Sequence, residues 1–138
     1  MRAALAEALG TGFLLIAVVG SGIMGAGLAE VAARAGFDVV VRSRSLHTAH
    51  LMRDSIDKGL VKAVERGKST EDERAAIIGR IEAVAELTAL SDCDLVIESV
   101  VEDMHTKRAL FAELDALTKP EAILATNTST LPVVEMAV

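Results

Sequence analysis

The chain has 138 residues, the size of a single domain. Hydrophobic residues make up 51% of the chain and charged residues 25%, a balance that excludes a disordered tail and is typical of a compact soluble fold. The net charge of −6, together with the lack of Trp and Tyr, disfavours nucleic acid as a partner. Any phosphate group that the protein binds must therefore be held by a local site.

The N-terminal region predicts a buried strand rather than a membrane segment. Glu7 interrupts the first apolar stretch, and the unbroken apolar run at residues 13–19 is far shorter than the roughly 20 residues of a membrane helix. A run of this length suits a strand that is covered on both faces, and the segment GSGIMGAG follows it at residues 20–27. We therefore expect a strand, a glycine turn and a helix. Residues 1–12 are taken as an extension of unknown role.

The helix after the glycine turn carries apolar residues at spacings of three and four, and Gly36 is placed to end it. The predicted apolar face consists of Leu28, Val31, Ala32 and Ala35. Residues 38–41 form another short apolar run, which predicts the second strand.

Two helices are predicted between the second strand and the next clear one. The first has an apolar residue at every fourth position and ends at Gly67; these residues are Met52, Ile56, Leu60 and Val64. The second begins with a capping box at Ser69 and Thr70. Its predicted apolar face is Ile77, Ile78, Ile81 and Val84. Alternating residues at 83–87 also indicate a weaker strand.

The last part of the chain predicts a strand at residues 94–97, a helix that ends at Lys119-Pro120, and a strand at residues 122–125. The apolar face of this helix is Leu110, Phe111, Leu114 and Leu117. Strands that are separated by helices pair in parallel through right-handed crossovers. The predicted fold is therefore α/β, a doubly wound parallel sheet of the Rossmann type with a helical-pair insertion after the second strand.

The three glycines of the turn predict a dinucleotide site. Gly20 permits the tight turn, Gly22 lets the main chain approach a pyrophosphate, and Gly25 lets the helix pack closely on the strand. The amides of the first helical turn would hold the phosphates. The predicted cofactor-binding residues of this segment are Gly20, Ser21, Gly22, Ile23, Met24 and Gly25. The alternative is a glycine-rich turn that serves packing only.

The acidic residue that normally binds the adenine ribose at the end of the second strand is missing. Arg42, Ser43 and Arg44 stand in its place. Two arginines that flank a hydroxyl residue suit the 2′-phosphate of NADP, because no carboxylate is there to repel it. The alternative is that both arginines are solvated and that Ser43 and the main chain hold the ribose, so the cofactor is NAD or NADP.

Three motifs resemble the N-terminal NAD-binding domain of 3-hydroxyacyl-CoA dehydrogenases. They are VVGSGIMGAGLAE at residues 18–30, CDLVIESVVED at residues 93–103 and LATNTSTLP at residues 124–132. The likeness runs from about Leu15 to the last residue, and the helical pair separates it from the 6-phosphogluconate and β-hydroxyacid dehydrogenases. The resemblance implies oxidation of the 3-hydroxyl of an acyl-CoA with NAD, often in fatty-acid or butyrate metabolism and commonly by dimers.

The resemblance also implies individual site residues. Glu102 and Lys107 stand where the family contacts the cofactor, and Asn127 stands where it borders the nicotinamide. Ser129 matches the serine whose hydroxyl aligns the reacting oxygen of the substrate for hydride transfer. Without the resemblance, residues 127–130 would predict a turn and a helix N-cap before Leu131-Pro132.

Lys58, Lys62 and Arg66 stand four apart on one predicted helical face. Lys62 and Arg66 are candidates to contact the phosphates of coenzyme A, because Arg66 falls near a CoA-binding lysine of the family. The alternative is an ordinary solvated basic face, in which Asp54 pairs with Lys58.

The general base of the family is a histidine in a His-Phe-Phe-Asn-Pro stretch, which would come after the last of these motifs. We therefore expect residues 13–138 to be a dinucleotide-binding domain that ends before this base and before the helical C-terminal domain, and to turn over acyl-CoA slowly or not at all. Alternatives are a non-catalytic dinucleotide-binding module and a fragment of an NADP-dependent β-hydroxyacid dehydrogenase.

The remaining candidates for chemistry are three histidines and one cysteine. His47, His50 and His105 have no partner at catalytic spacing, so we expect them at the surface. Cys93 precedes a buried strand, so we expect it to pack in the core. A lone cysteine excludes an internal disulfide and, with scattered histidines, predicts no metal site and a cytoplasmic location.

Overall fold

The computed structural model describes residues 14–137. It has five strands, which are β1 (Leu15–Val19), β2 (Asp38–Arg42), β3 (Ile81–Val84), β4 (Leu95–Glu98) and β5 (Ile123–Thr126). It has four α-helices, which are α1 (Ile23–Arg34), α2 (Leu46–Glu65), α3 (Glu71–Gly79) and α4 (Met104–Leu117), and short 3-10 helices at Leu87–Leu90 and Val133–Glu135. The predicted extension at residues 1–12 and the predicted start of the first strand at Phe13 lie outside the described residues.

The strands form one parallel sheet with the order β3-β2-β1-β4-β5. This arrangement confirms the predicted doubly wound fold with a helical pair, α2 and α3, after the second strand. In the register, Val19 lies beside both Arg42 and Glu98, and Glu98 lies beside Thr126. The carboxyl ends of four strands therefore meet at one edge, where open α/β sheets bind ligands.

Alternate residues of the strands enter two cores, one on each face of the sheet. Ile16 and Val18 of β1 face the core under α1, α2 and α3, which includes Met52, Ile56 and Leu60. The other core, under α4 and the first 3-10 helix, is formed by Ala17, Val19, Val40, Leu90, Cys93, Val96, Leu110 and Leu114. Cys93 is fully buried, as expected, and burial raises the pKa of its thiol to about 11.

The local signals that end and begin helices are confirmed. Gly36 and Gly67 follow α1 and α2 with φ angles of 90° and 66°, values that favour glycine. Thr70 caps α3 by accepting from the amide of Glu73, whose carboxylate accepts from the amide of Thr70 and the hydroxyl of Ser69.

The predicted apolar face of α1 is partly wrong. Ala32 is buried as predicted, but Val31 is 64% exposed, and Ala29 and Ala33 are buried instead. Because Gly25 brings this helix close to the sheet, small side chains fill the contact and the larger valine turns to solvent.

The predicted apolar face of the third helix is also wrong at its end. The helix stops at Gly79, and Ile81 to Val84 form β3, so the weak strand expected at residues 83–87 begins two residues earlier. The reason is tertiary: the amide of Val39 in β2 donates to the Arg80 carbonyl at 2.8 Å, and Ile81 pairs with Val39. No helix in the described part of the chain is long and apolar enough to cross a membrane.

Candidate dinucleotide-binding site

The turn after β1 requires glycine at its first position. Gly20 has a φ angle of 145°, and its amide donates to the Arg42 carbonyl at 2.9 Å. A Cβ atom at this position would lie 2.3 Å from the Ser99 carbonyl oxygen, closer than such atoms can approach. Gly20 therefore lets the ends of β1 and β4 meet at the edge of the sheet.

The next two glycines differ in what surrounds them. Gly22 is the N-cap of α1 without a side-chain cap, and no protein atom lies within 4 Å of a Cβ built on it. A Cβ on Gly25 would lie 3.1 Å from Met52 Cε and 3.5 Å from Val18 Cγ1. The first turn of α1 is thus open to a ligand, with Ser21, Gly22, Ile23 and Met24 exposed, while Gly25 holds the helix against the sheet.

A cavity of about 710 Å³ opens beside this turn. Six of the predicted cofactor-binding residues line it, which are Gly20, Ser21, Gly22, Arg42, Ser43 and Arg44. The rest of its lining is partly apolar and includes Leu87, Val100, Val101, Ala109 and Leu110. A pocket that combines apolar side chains with charged groups and main-chain amides suits the adenosine half of a dinucleotide.

The three residues at the end of β2 differ in how far hydrogen bonds hold their side chains in place. The half-buried Arg42 donates from Nε to the Ala85 carbonyl at 2.8 Å, so this side chain is held in place. Ser43 is buried, and its hydroxyl accepts from the Thr48 hydroxyl at 2.8 Å. Arg44 is exposed at the cavity wall and forms no hydrogen bond or ion pair with another described side chain. Arg44 is therefore the more mobile guanidinium of this pair, whereas Arg42 is fixed through Nε and has its terminal nitrogens left for a ligand.

A buried ion pair that the sequence pattern did not predict lies on the β4 side of the edge. Glu98 is fully buried and Lys107 is 1% exposed, and Lys107 Nζ lies 2.9 Å from both carboxylate oxygens of Glu98. The carboxylate also accepts from the Thr126 hydroxyl at 2.6 Å and the Val100 amide at 2.5 Å. An acidic residue that closes the apolar strand LVIE was the available signal, because a buried carboxylate needs partners.

Lys107 therefore lies in the interior rather than on the cavity wall. Its ammonium group is also 3.2 Å from an oxygen of Glu102, which is 41% exposed. Hydrogen bonds from Thr128, together with Lys107 and Thr130, hold the pKa of Glu102 below its usual value despite some desolvation. Glu102 is thus a carboxylate that accepts hydrogen bonds at neutral pH.

The loop after β5 bends at residues 129–131, and the side-chain N-cap that residues 127–130 would predict without the family resemblance is not formed. The following 3-10 helix has Pro132 at its N-cap position, without a side-chain bond. Instead, the Thr128 hydroxyl accepts from the Leu131 amide at 3.0 Å, and the Asn127 amide donates to the Glu98 carbonyl at 2.8 Å. The side chains of Asn127 and Ser129 remain exposed.

The structure does not bring the predicted CoA contacts to the cavity. Lys62 and Arg66 are exposed at the far end of α2. Lys62 lies 16 residues beyond Leu46, the first residue of this helix, which is about 24 Å along the helix axis. His47 and His50 are exposed on α2, and His105 is exposed at the cavity mouth. Among residues 14–137, no three His, Cys, Asp or Glu side chains converge on a possible metal position.

The parallel sheet, its glycine turn and the cavity beside it define a dinucleotide-binding domain of the Rossmann type. Residues 15–138 match the family model described as the NAD-binding domain of 3-hydroxyacyl-CoA dehydrogenase. The chain belongs to this family, as its sequence motifs predict, and NAD is the cofactor of the family domain.

Relatives whose function is named agree with this assignment. The chain is 46% identical over 123 residues to a 3-hydroxybutyryl-CoA dehydrogenase of Mycobacterium tuberculosis, and 43% identical over 120 residues to a probable 3-hydroxybutyryl-CoA dehydrogenase of Deinococcus radiodurans. These alignments cover 88% and 87% of this chain and 43% of each relative. The chain therefore spans less than half the length of these relatives.

A solved structure gives the same result. The crystal structure of 3-hydroxybutyryl-CoA dehydrogenase from Escherichia coli K12 superimposes with a TM-score of 0.88 at 38% identity, covering 91% of this chain and 27% of that one. The fold predicted from the sequence is thus the fold of this family.

Proposed function

We propose that this chain is the cofactor-binding part of an enzyme that oxidises the 3-hydroxyl of a 3-hydroxyacyl-CoA to the 3-oxoacyl-CoA with NAD or NADP, in fatty-acid or butyrate metabolism. Residues 13–138 form the dinucleotide-binding domain in this proposal. The observation that carries it is the turn in which Gly20 is pressed against Ser99 while Gly22 is open to the cavity. The names of the relatives support the choice of substrate class.

The adenosine half of the cofactor belongs on the β1 and β2 side of the edge. Ser21, Gly22, Ile23 and Met24 lie at the open start of α1 and would hold the pyrophosphate through main-chain amides. In this proposal Ser43 and the two flanking arginines receive the ribose, with its 2′-hydroxyl or 2′-phosphate. The cavity volume and its apolar wall fit an adenine ring.

The nicotinamide half belongs on the β4 and β5 side, because a dinucleotide crosses the point where the strand order reverses. When bound, the nicotinamide ring accepts the hydride from C3 of the substrate. The ionised Glu102, with Lys107 behind it, accepts hydrogen bonds from ribose hydroxyls, and Asn127 borders the ring. The Ser129 hydroxyl hydrogen-bonds the 3-oxygen of the substrate and aligns C3 for transfer.

A general base is required as well, and the described histidines do not supply one in this proposal. His47 and His50 lie on α2, and His105 lies on α4 at the cavity mouth rather than in the loop of Ser129. This chain by itself would then bind NADH but reduce acetoacetyl-CoA slowly or not at all. The whole enzyme would be a cytoplasmic dimer that binds CoA partly through Lys62 and Arg66.

The test is an NADH titration of the chain, followed by nicotinamide fluorescence, with two matched glycine variants. Gly22→Ala places a methyl group where the pyrophosphate would approach and is expected to weaken NADH binding about tenfold or more, which is about 1.4 kcal/mol. Gly27→Ala is the control, because Gly27 is exposed in α1 and a Cβ there has no neighbour within 4 Å.

Equal NADH affinity of both variants and the wild type would contradict the proposed site. A turnover assay with acetoacetyl-CoA on the same samples tests the expectation that this chain has little or no activity. Reduction at the rate of a complete dehydrogenase would contradict the proposal that the described histidines do not serve as the base. Binding of NADH without any binding of acyl-CoA would favour the non-catalytic module.

A further inference from the structure

Glu98 is the centre of a polar cluster that is buried next to the site and does not line the cavity. Its fully buried carboxylate receives donors from three segments: Lys107 of α4, Thr126 of β5 and the Val100 amide of the β4–α4 loop. Both carboxylate oxygens therefore have partners, which is the condition for keeping a charge in the interior.

The cluster continues from Glu98 to the loop after β5. Lys107 Nζ lies 3.2 Å from Glu102, and Glu102 accepts hydrogen bonds from the hydroxyls of Thr128 and Thr130. The main-chain amide of Asn127 donates directly to the main-chain carbonyl of Glu98. The segment that carries Asn127 and Ser129 is thus attached directly to Glu98 through the main-chain amide of Asn127. Its threonine side chains reach Glu98 indirectly, through Glu102 and Lys107.

The stability of the fold does not by itself require a buried ion pair at this position. An apolar pair of similar volume would hold the same elements together at no greater cost, because burying two charges requires their desolvation. The same strand has a second carboxylate–lysine pair at its other end, where Asp94 accepts from Lys119 at 2.6 Å and from the Leu15 amide at 2.8 Å. Only the Glu98 cluster reaches the edge that carries the site.

We propose that Glu98 is a positioning residue, which acts through Lys107 and Thr126 to hold Glu102 and the 127–131 loop in the geometry that receives the nicotinamide half of the cofactor. This inference rests on the proposed function. The adenosine half is held by the Gly20 turn and the cavity, whose wall includes neither Glu98 nor Lys107 but does include Val100. Glu98→Gln keeps an oxygen that can accept from the Val100 amide, so this wall is expected to stay in place.

The test compares two ligands, NADH and ADP, because ADP contains only the adenosine and phosphate part. Glu98→Gln keeps the shape of the side chain and removes its charge. The variant is expected to bind NADH about tenfold more weakly and to bind ADP within twofold of the wild type. Thr126→Val removes one donor without stranding a charge, so it keeps the fold and is expected to weaken NADH binding about threefold, again without effect on ADP.

Asp94→Asn is the matched control, since it neutralises the buried carboxylate at the opposite end of β4. It is expected to lower stability and to leave the ratio of NADH to ADP affinity unchanged, whereas a purely structural effect of Glu98 would lower both affinities together. If both site variants reduce NADH and ADP binding equally, or reduce neither, the positioning role is wrong. A wild-type chain that binds neither ligand would instead overturn the proposed function, and this inference with it.

Discussion

Lys107 Nζ lies 2.9 Å from each carboxylate oxygen of Glu98, and neither side chain is more than 1% exposed. Removing one partner strands a buried charge, so Lys107→Met is expected to lower the free energy of unfolding by about 3–5 kcal/mol. Adding Glu98→Gln to that variant removes the stranded charge and should recover much of the loss. Urea unfolding of the two single variants and the double variant measures the coupling, and strictly additive losses would contradict it.

Gly20→Ala is expected to destabilise the fold as well as the site. The added Cβ meets the Ser99 carbonyl oxygen at 2.3 Å, and the φ angle of 145° strains any other residue. We expect a loss of at least about 2 kcal/mol in the free energy of unfolding, measured in urea. Gly22→Ala is the comparison, because its Cβ has open space, and a similar loss in both variants would refute the steric argument.

The Asp94 carboxylate is expected to make the free energy of unfolding fall at acid pH. Burial raises the pKa of its carboxyl, but the Lys119 ammonium and the Leu15 amide outweigh burial and hold the pKa below its usual 3.8. The resulting stabilisation is present in full well above pH 3.8 and is lost as the pH falls through that value towards the pKa of the folded state.

Asp94→Asn is therefore expected to cost about 1–2 kcal/mol at pH 7 and to flatten the fall of unfolding free energy between about pH 5 and pH 3. Urea unfolding at a series of pH values measures both effects. A variant whose loss is the same at pH 3 and pH 7 would show that the charge of Asp94 is not the cause.

Arg44 is expected to favour a 2′-phosphate. It is the exposed guanidinium at the cavity wall, whereas Arg42 is tied to the Ala85 carbonyl. Arg44→Ala should weaken NADP binding about fivefold and leave NAD binding within twofold, because only NADP carries the extra phosphate. Calorimetric titration with both cofactors measures this, with the exposed Lys58→Ala as the control. Equal losses for NAD and NADP would contradict the phosphate contact.

The basic end of α2 is the remaining proposed contact, in this case for coenzyme A. Lys62→Glu combined with Arg66→Glu reverses two exposed charges and is expected to weaken CoA binding about fivefold or more at low salt. NADH affinity of the same variant serves as the control, because these residues lie far from the cavity. Unchanged CoA affinity would contradict the proposed contact and favour the alternative of an ordinary solvated helix face.

Local patterns in the sequence predicted most of the fold. Three local patterns were enough: the apolar run before Gly20, the glycine spacing after it, and the capping box of Thr70 and Glu73. Each depends on residues that are close together in the chain, so each can be predicted from the sequence. The order of strands and helices then left a doubly wound parallel sheet as the natural topology.

Contacts between distant segments could not be predicted in this way. Ile81 and Val84 continue a helical spacing, yet they form a strand because β2 offers unpaired main-chain groups. By itself the sequence determined the fold class, the glycine turn and the family, since these depend on spacing along the chain. Only the tertiary structure decided that Lys107 is buried against Glu98, because that pairing depends on how β4 and α4 meet and on the need of a buried charge for partners.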